Sequence, residues 1–170
     1  MLPAIKINLT CMVAFLASLF ILTVPVHTLS IFVIGNSVPF TVPIGSGESF
    51  VLRFIHSVER TPVESEYRVA SEKIVHWEER FVSHNAGLPT EAPRNGRFIL
   101  EREWMILRGV GLSARSIRYR VGDDELGRNL LYLPDGTEIL LFEEYPRQIL
   151  CLSAGTTNIL ISFINRVFRN

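Results

Sequence analysis

The chain has 170 residues and no formal net charge, with 17 basic against 17 acidic side chains. That length suits one domain of ordinary size, and the even charge removes the electrostatic argument for nucleic acid or an anionic surface as a partner. The basic residues are 15 Arg and 2 Lys, a bias towards the side chain that serves best in paired positions.

From Leu9 to Val26 the chain reads LTCMVAFLASLFILTVPV, without a charged side chain. As a helix that run would be about 27 Å long at roughly 1.5 Å per residue, close to the roughly 30 Å hydrocarbon core of a bilayer. Lys6 precedes it and no Lys or Arg follows until Arg53. The positive-inside rule then puts the N-terminus in the cytoplasm and the remainder outside. The expectation is one N-terminal transmembrane helix within residues 1–27, an extracytoplasmic domain over 28–170, and a single-pass location in the cell membrane. A cleaved signal peptide, which would give a secreted domain, is the competing reading. The cuts it would need, near Val26-His27-Thr28 or Thr28-Leu29-Ser30, lack the usual small residues. A buried soluble helix would need an amphipathic stripe that the run lacks.

Cys11 lies inside the apolar run, and the residues before it, Asn8-Leu9-Thr10, do not make a lipid-attachment site. Cys151 is the other cysteine, so the outer domain holds no disulfide of its own and no cysteine zinc cluster. Alternating with Leu150 and Leu152, it reads as a buried, inert thiol.

After residue 28 strand signals dominate. LSIFVI (29–34) is a short apolar run, and SVPFTVP (37–43) carries prolines that confine it to an edge or a bulge. SFVLRFIHSV (49–58), PVESEYRV (62–69) and KIVHWEERFVS (73–83) alternate cleanly. RFIL (97–100), WMIL (104–107), SIRYRV (116–121), LLYL (130–133), EILLFEE (138–144) and QILCLS (148–153) continue the series. Pro134-Asp135-Gly136 marks a hairpin turn. ILISFINRVF (159–168) fits a strand or a short helix, and HNAGLPTEAPRNG (84–96) is one long irregular loop. Many short strands at this spacing predict an all-β domain, an antiparallel β-sandwich or partly closed barrel.

The stretch FIHSVERTPVESEYRV (54–69) predicts a hairpin turning at Glu59-Arg60-Thr61-Pro62. Val58 then faces Val63, His56 faces Ser65, Phe54 faces Tyr67 and Leu52 faces Val69. Ser57–Glu64, Ile55–Glu66 and Arg53–Arg68 share the other face, the last an unfavourable like-charged pair. His56 is expected to point inward beside Phe54, Val58 and Tyr67. It serves there either as a satisfied core histidine or as the end of a pocket with Glu59 or Glu64.

His56-Ser57-Val58-Glu59, then Thr61-Pro62-Val63, Glu64 and Tyr67, and later Ala86-Gly87-Leu88-Pro89, resemble the two motifs of the domain-of-unknown-function "eighteen-fifty" family. The resemblance spans roughly residues 29 to 155. It departs from the pattern at Asn85, where the family has a glycine; Asn tolerates the left-handed geometry best among the other residues. The resemblance implies one hydrophobic segment followed by a domain that works beside a TAXI-type TRAP solute transporter, with its receptor or permease subunits as partners. It supplies no reaction and no cofactor. It marks His56, Ser57, Glu59, Thr61, Pro62, Glu64, Tyr67, Ala86, Gly87, Leu88 and Pro89 as the residues of a ligand- or partner-binding surface.

Enzyme signatures are missing. Ser57 and His56 adjoin on a strand and point to opposite faces, so they do not form a nucleophile–base pair. A metal site would have to draw on His56, Glu59, Glu64, His76, Glu78 and His84. His76, Glu78 and His84 share one face of an extended 73–83 strand, opposite Val75, Trp77 and Phe81. Bringing His56 to them requires the 84–96 loop to fold over the 59–62 turn. Asp123-Asp124-Glu125 lacks the spaced oxygens of a calcium loop and reads as a solvated turn. Arg118 and Arg120 share a strand face and are expected to pair with acids across the strand rather than to bind an anion. The expected function is a non-enzymatic extracytoplasmic accessory domain. The alternative is a ligand- or metal-binding β domain using His56 and nearby glutamates.

Overall fold

A computed structural model describes residues 9–35, 39–83 and 91–160. The apolar N-terminal run forms helix α1 (Leu9–Leu22). It stops short of Val26 because Pro25 has no N–H to donate and pushes Val24 out of helical geometry. Pro25 and Val26 already belong to strand β1 (Pro25–Val33), so the expected boundary at residue 27 falls inside that strand. The expected transmembrane helix is therefore not found: among the described residues no helix is long and apolar enough to cross a membrane. Along α1, Met12, Phe15, Leu16, Leu19, Phe20 and Ile21 are all exposed.

The remainder is mostly antiparallel β structure. One sheet has the order β2 (Phe40–Pro43), β1, β12 (Ile149–Asn158), β9 (Ser116–Arg120). The prolines place β2 on an edge, as expected. The larger sheet runs β11 (Glu138–Leu140), β10 (Gly127–Tyr132), β3 (Ser49–Ile55), β4 (Pro62–Ala70), β5 (Lys73–Phe81), β7 (Trp104–Arg108), β6 (Arg97–Glu101), with β8 (Ser113–Ala114) also on β5. Neither sheet closes into a barrel.

Alternation supplies the core. Leu29, Ile31, Leu150 and Leu152 from the smaller sheet share one buried cluster with Phe50, Leu52, Val69, Ile74 and Leu131 from the larger. Val63, Phe81 and Leu107 form a second cluster. Cys151 lies between Leu150 and Leu152 and faces the other way; it is half-buried, not buried as expected. The run EILLFEE does not continue as a strand. Leu141 and Phe142 are both buried, which adjacent strand residues on a one-sided sheet cannot be, and they form a single helical turn, α2 (Leu141–Glu144). The 161–168 part of the ambiguous C-terminal run lies outside the described residues.

Topology separates two ends of the domain. At one, α1 enters β1 through Thr23 and Val24, the His27 carbonyl accepts from Ile44 N–H, and Gly47 and Glu48 bond to Val69 at the end of β4. At the other lie the β3–β4 turn, the β5 terminus and the 121–128 loop. The nine residues of β4 put the two ends on the order of 25 Å apart.

Candidate functional site

The β3–β4 hairpin exists with its faces as expected and its register changed. Phe54 pairs with Val63, Leu52 with Ser65 and Phe50 with Tyr67, while Arg53 meets Glu64 and Val51 meets Glu66. The shift is by an even number of residues, so each side chain keeps its face. The like-charged Arg53–Arg68 pair disappears, and Arg53 lies 3.8 Å from Glu64 instead.

The cause is the loop. β3 ends at Ile55, and residues 56 to 61 form a wide turn folded around His56. The His56 N–H donates to the Thr61 carbonyl and the His56 carbonyl accepts from Arg60 N–H, both at 2.9 Å. Its Nδ1 accepts from the N–H groups of Val58 and Glu59 at 3.4 and 3.3 Å, so the neutral ring carries its proton on Nε2. Arg60 takes a left-handed conformation at φ 57°. His56 is thus the organiser of the turn, half-buried near Phe54, and not a strand residue beside Val58 and Tyr67. Val58 is 72% exposed and Ser57 is exposed.

The expected cluster of His56 with Glu59 and Glu64 does not assemble. Glu59 accepts from Ser83 Oγ at 3.0 Å, at the end of β5. Glu64 lies on the opposite face of the sheet, held by Arg80 Nε at 3.1 Å. Pro62 opens β4, and the buried Thr61 hydroxyl has no hydrogen-bond partner among the described residues. Among the described residues no group of three His, Cys, Asp or Glu side chains is placed to hold a metal ion. His84, Ala86, Gly87, Leu88 and Pro89 lie outside the described residues.

A cleft of about 690 Å³ adjoins the turn, lined by Phe54, His56, Ser57, Arg120, Gly122 and Arg147 among others. Its far wall is the 122–127 loop. Asp123 accepts from the N–H groups of Glu125 and Leu126 and pairs with Arg147 at 2.7 Å. The Leu126 amide first, then Arg147, holds its carboxyl below the usual range. Asp123 is thus a structural turn residue. Arg60 Nη1 donates to the Glu125 carbonyl at 3.3 Å, which ties this loop to the hairpin turn. Arg118 and Arg120 face Cys151 and Ile149 across the strand and form no ion pair among the described residues, which corrects the expected pairing with acids.

The face assigned to β5 is also corrected. A bulge at Trp77 shifts the pairing between Glu66–Glu78 and Tyr67–His76, so one extra residue reverses the alternation. His76 and Glu78 end on opposite faces, and Phe81 shares the inner face with His76. Glu78, only 3% exposed, sits on the outer face between Arg80 at 2.9 Å and Arg108 at 2.6 Å. Arg80 also reaches Glu64 and Glu66. On the inner face, His76 Nε2 lies 2.8 Å from Glu79 Oε2, and Tyr67 stacks between Phe50 and His76. Tyr67 therefore belongs with His76 and Glu79, not with the hairpin tip. Burial first, then the charge of Glu79, raises its hydroxyl pKa. Nothing in the 73–83 string announces Glu79 as an inward residue, because a bulge is decided by the neighbouring strands.

The family model for Domain of unknown function (DUF1850) matches residues 50–137, from β3 to the β10–β11 turn. The chain belongs to this family. The match takes in the His56 turn, the bulged β5 and the 122–127 loop of the DUF1850 domain, and is shorter than the 29–155 span of the resemblance. No curated protein and no solved structure matches the chain.

Proposed function

We propose that this DUF1850 protein is a non-enzymatic accessory domain, held at the cell membrane by its N-terminal apolar segment with the β domain outside the cytoplasm. It presents its His56 end to a component of a TAXI-type TRAP solute transporter. The observation that carries the reading is polarity along the molecule. The uncharged, outward-facing apolar side chains of α1 enter the domain at one end, and the His56 turn stands at the other. A site on the order of 25 Å from the attachment point is better placed for the extracytoplasmic receptor than for the permease. At that end the apolar side chains of Val58 and Leu126 are exposed, 72% and 51%, on two loops tied together by Arg60. That is the pattern of a small protein contact. Cuts at the two candidate signal-peptidase positions would fall inside β1, a strand bonded on both sides, which favours an uncleaved anchor.

The test is membrane fractionation followed by affinity recovery of the tagged full-length chain. The protein is expected in the membrane fraction with its β domain protected from protease on the cytoplasmic side, and transporter subunits are expected to co-purify. Val58→Asp and Leu126→Asp, both at exposed positions, should abolish that recovery while leaving the melting temperature within a few degrees. Unchanged recovery in both variants would overturn the contact surface.

A further inference from the structure

We propose that the inner face of the larger sheet carries a binding cavity for a small organic cation, an alkylammonium group with an apolar body. This goes beyond the contact role of the His56 end, which lies elsewhere on the domain. The cavity, about 440 Å³, is lined by Ser65, Tyr67, His76, Glu79, Leu107 and Val110. Glu91 and Pro93 also line it.

The inner face of a sheet normally repeats apolar side chains, and the neighbours of these residues along β4 and β5 do so: Val63, Val69, Ile74 and Phe81 are buried. Between them, Ser65, Tyr67, His76 and Glu79 form a polar band. Glu79 reaches that band only through the Trp77 bulge; in an unbroken strand, residues 76 and 79 would face opposite ways. Bulges re-aim side chains in this manner beside functional sites. Turning a carboxylate into a protein interior costs stability unless it is matched by hydrogen bonds or opposite charge. His76 satisfies Oε2, while Oε1 takes no hydrogen bond from the described residues.

The lining chemistry selects the ligand. Glu79, Glu91, Ser65 and Tyr67 offer acceptor oxygens, and among the described residues neither Lys nor Arg lines the cavity. An ammonium group has three donors and no acceptor, so it can bond Glu79 Oε1 and the nearby hydroxyls together. Leu107, Val110 and Pro93 supply an apolar wall for the carbon chain. An anionic ligand would meet two carboxylates. Among the described residues the cavity also lacks the third ligand that a metal ion would need.

The experiment is calorimetric titration of the full chain in detergent with n-hexylammonium, 1-hexanol and hexanoate, three probes of one length and different head charge. Hexylammonium is expected to bind at least about tenfold more tightly than hexanol, with no binding of hexanoate. Glu79→Gln, which keeps the shape and removes the charge, should bring hexylammonium down to the level of hexanol. Val110→Phe, which fills the cavity from its apolar wall, should abolish binding of both hexylammonium and hexanol. Circular dichroism and melting curves confirm that each variant is folded. Equal binding of hexanol and hexylammonium, hexylammonium binding that survives Glu79→Gln in a folded protein, or no heat up to about 10 mM probe would each overturn the proposal. Loss of transporter recovery without any change in these titrations separates a failure at the His56 end from one here.

Discussion

His56 shows how one side chain serves as local scaffold. Its Nδ1 takes two amide hydrogens from the turn that follows it, and leaving those donors unpaired costs on the order of 1–2 kcal/mol where they are shielded from water. His56→Ala should therefore lower stability by about that amount. His56→Asn places an oxygen acceptor at the corresponding position of the side chain and should recover most of the loss. Thermal unfolding of the three proteins checks this; equal melting temperatures for the Ala and Asn variants would show that the turn does not depend on the acceptor. The string His-Ser-Val-Glu made this residue conspicuous. The string does not say that Nδ1 turns back on its own loop, because that depends on where β3 ends.

Among the elements, the 122–127 loop is closely constrained. Gly122 packs directly against the Leu126 carbonyl and beside Asn129, leaving no room for a Cβ, and its N–H donates to Asn129 Oδ1 at 2.6 Å. Gly122→Ala must push that wall of the cleft outward. A loss of about 2–3 kcal/mol is expected, read as a lower urea midpoint. Gly136→Ala is the control for glycine chemistry elsewhere: its φ of 83° makes Ala strained, but nothing packs within 4 Å, so it should cost about 1 kcal/mol. Similar midpoints for the two variants would remove the steric argument. The Asp123-Asp124-Glu125 run was the legible sign of a turn here. The bulge in β5 had no such sign: alternation across 73–83 looks regular, and only pairing with β4 shows the extra residue at Trp77.

For the whole molecule, Tyr119 joins the two sheets. It stands on β9 of the smaller sheet, and its hydroxyl accepts from Asn129 Nδ2 on β10 of the larger at 2.7 Å. Burial pushes its pKa up to about 12, against the lowering effect of the Asn129 hydrogen bond. The folded state thus holds this proton more tightly than the unfolded chain, where the hydroxyl titrates near 10. Its stabilisation is complete below about pH 10 and is lost as pH rises through about 12, a change on the order of 2–3 kcal/mol. Tyr67, also raised, acts in the same direction. Urea unfolding between pH 9 and 12 should show falling stability in the parent, and Tyr119→Phe should flatten much of that fall. An unchanged slope in the variant would place the titrating group elsewhere.

Sequence by itself determined most of the strands, the inward and outward faces of β3 and β4, the edge position of β2, the Pro134-Asp135-Gly136 turn and membership of the DUF1850 family. Each of these rests on information within a few residues: period-two alternation, missing proline donors, glycine dihedrals and a local motif. Three other features depended on the tertiary structure. The hairpin register changed because the turn folds on His56. Glu79 and His76 met because a bulge formed against neighbouring strands. The end of the apolar run, beyond the break that Pro25 imposes, became the start of a strand because β12 pairs it from Pro25 onward and β2 from Thr28. All three depend on partners distant in sequence or on where an element ends, and no local periodicity carries that information.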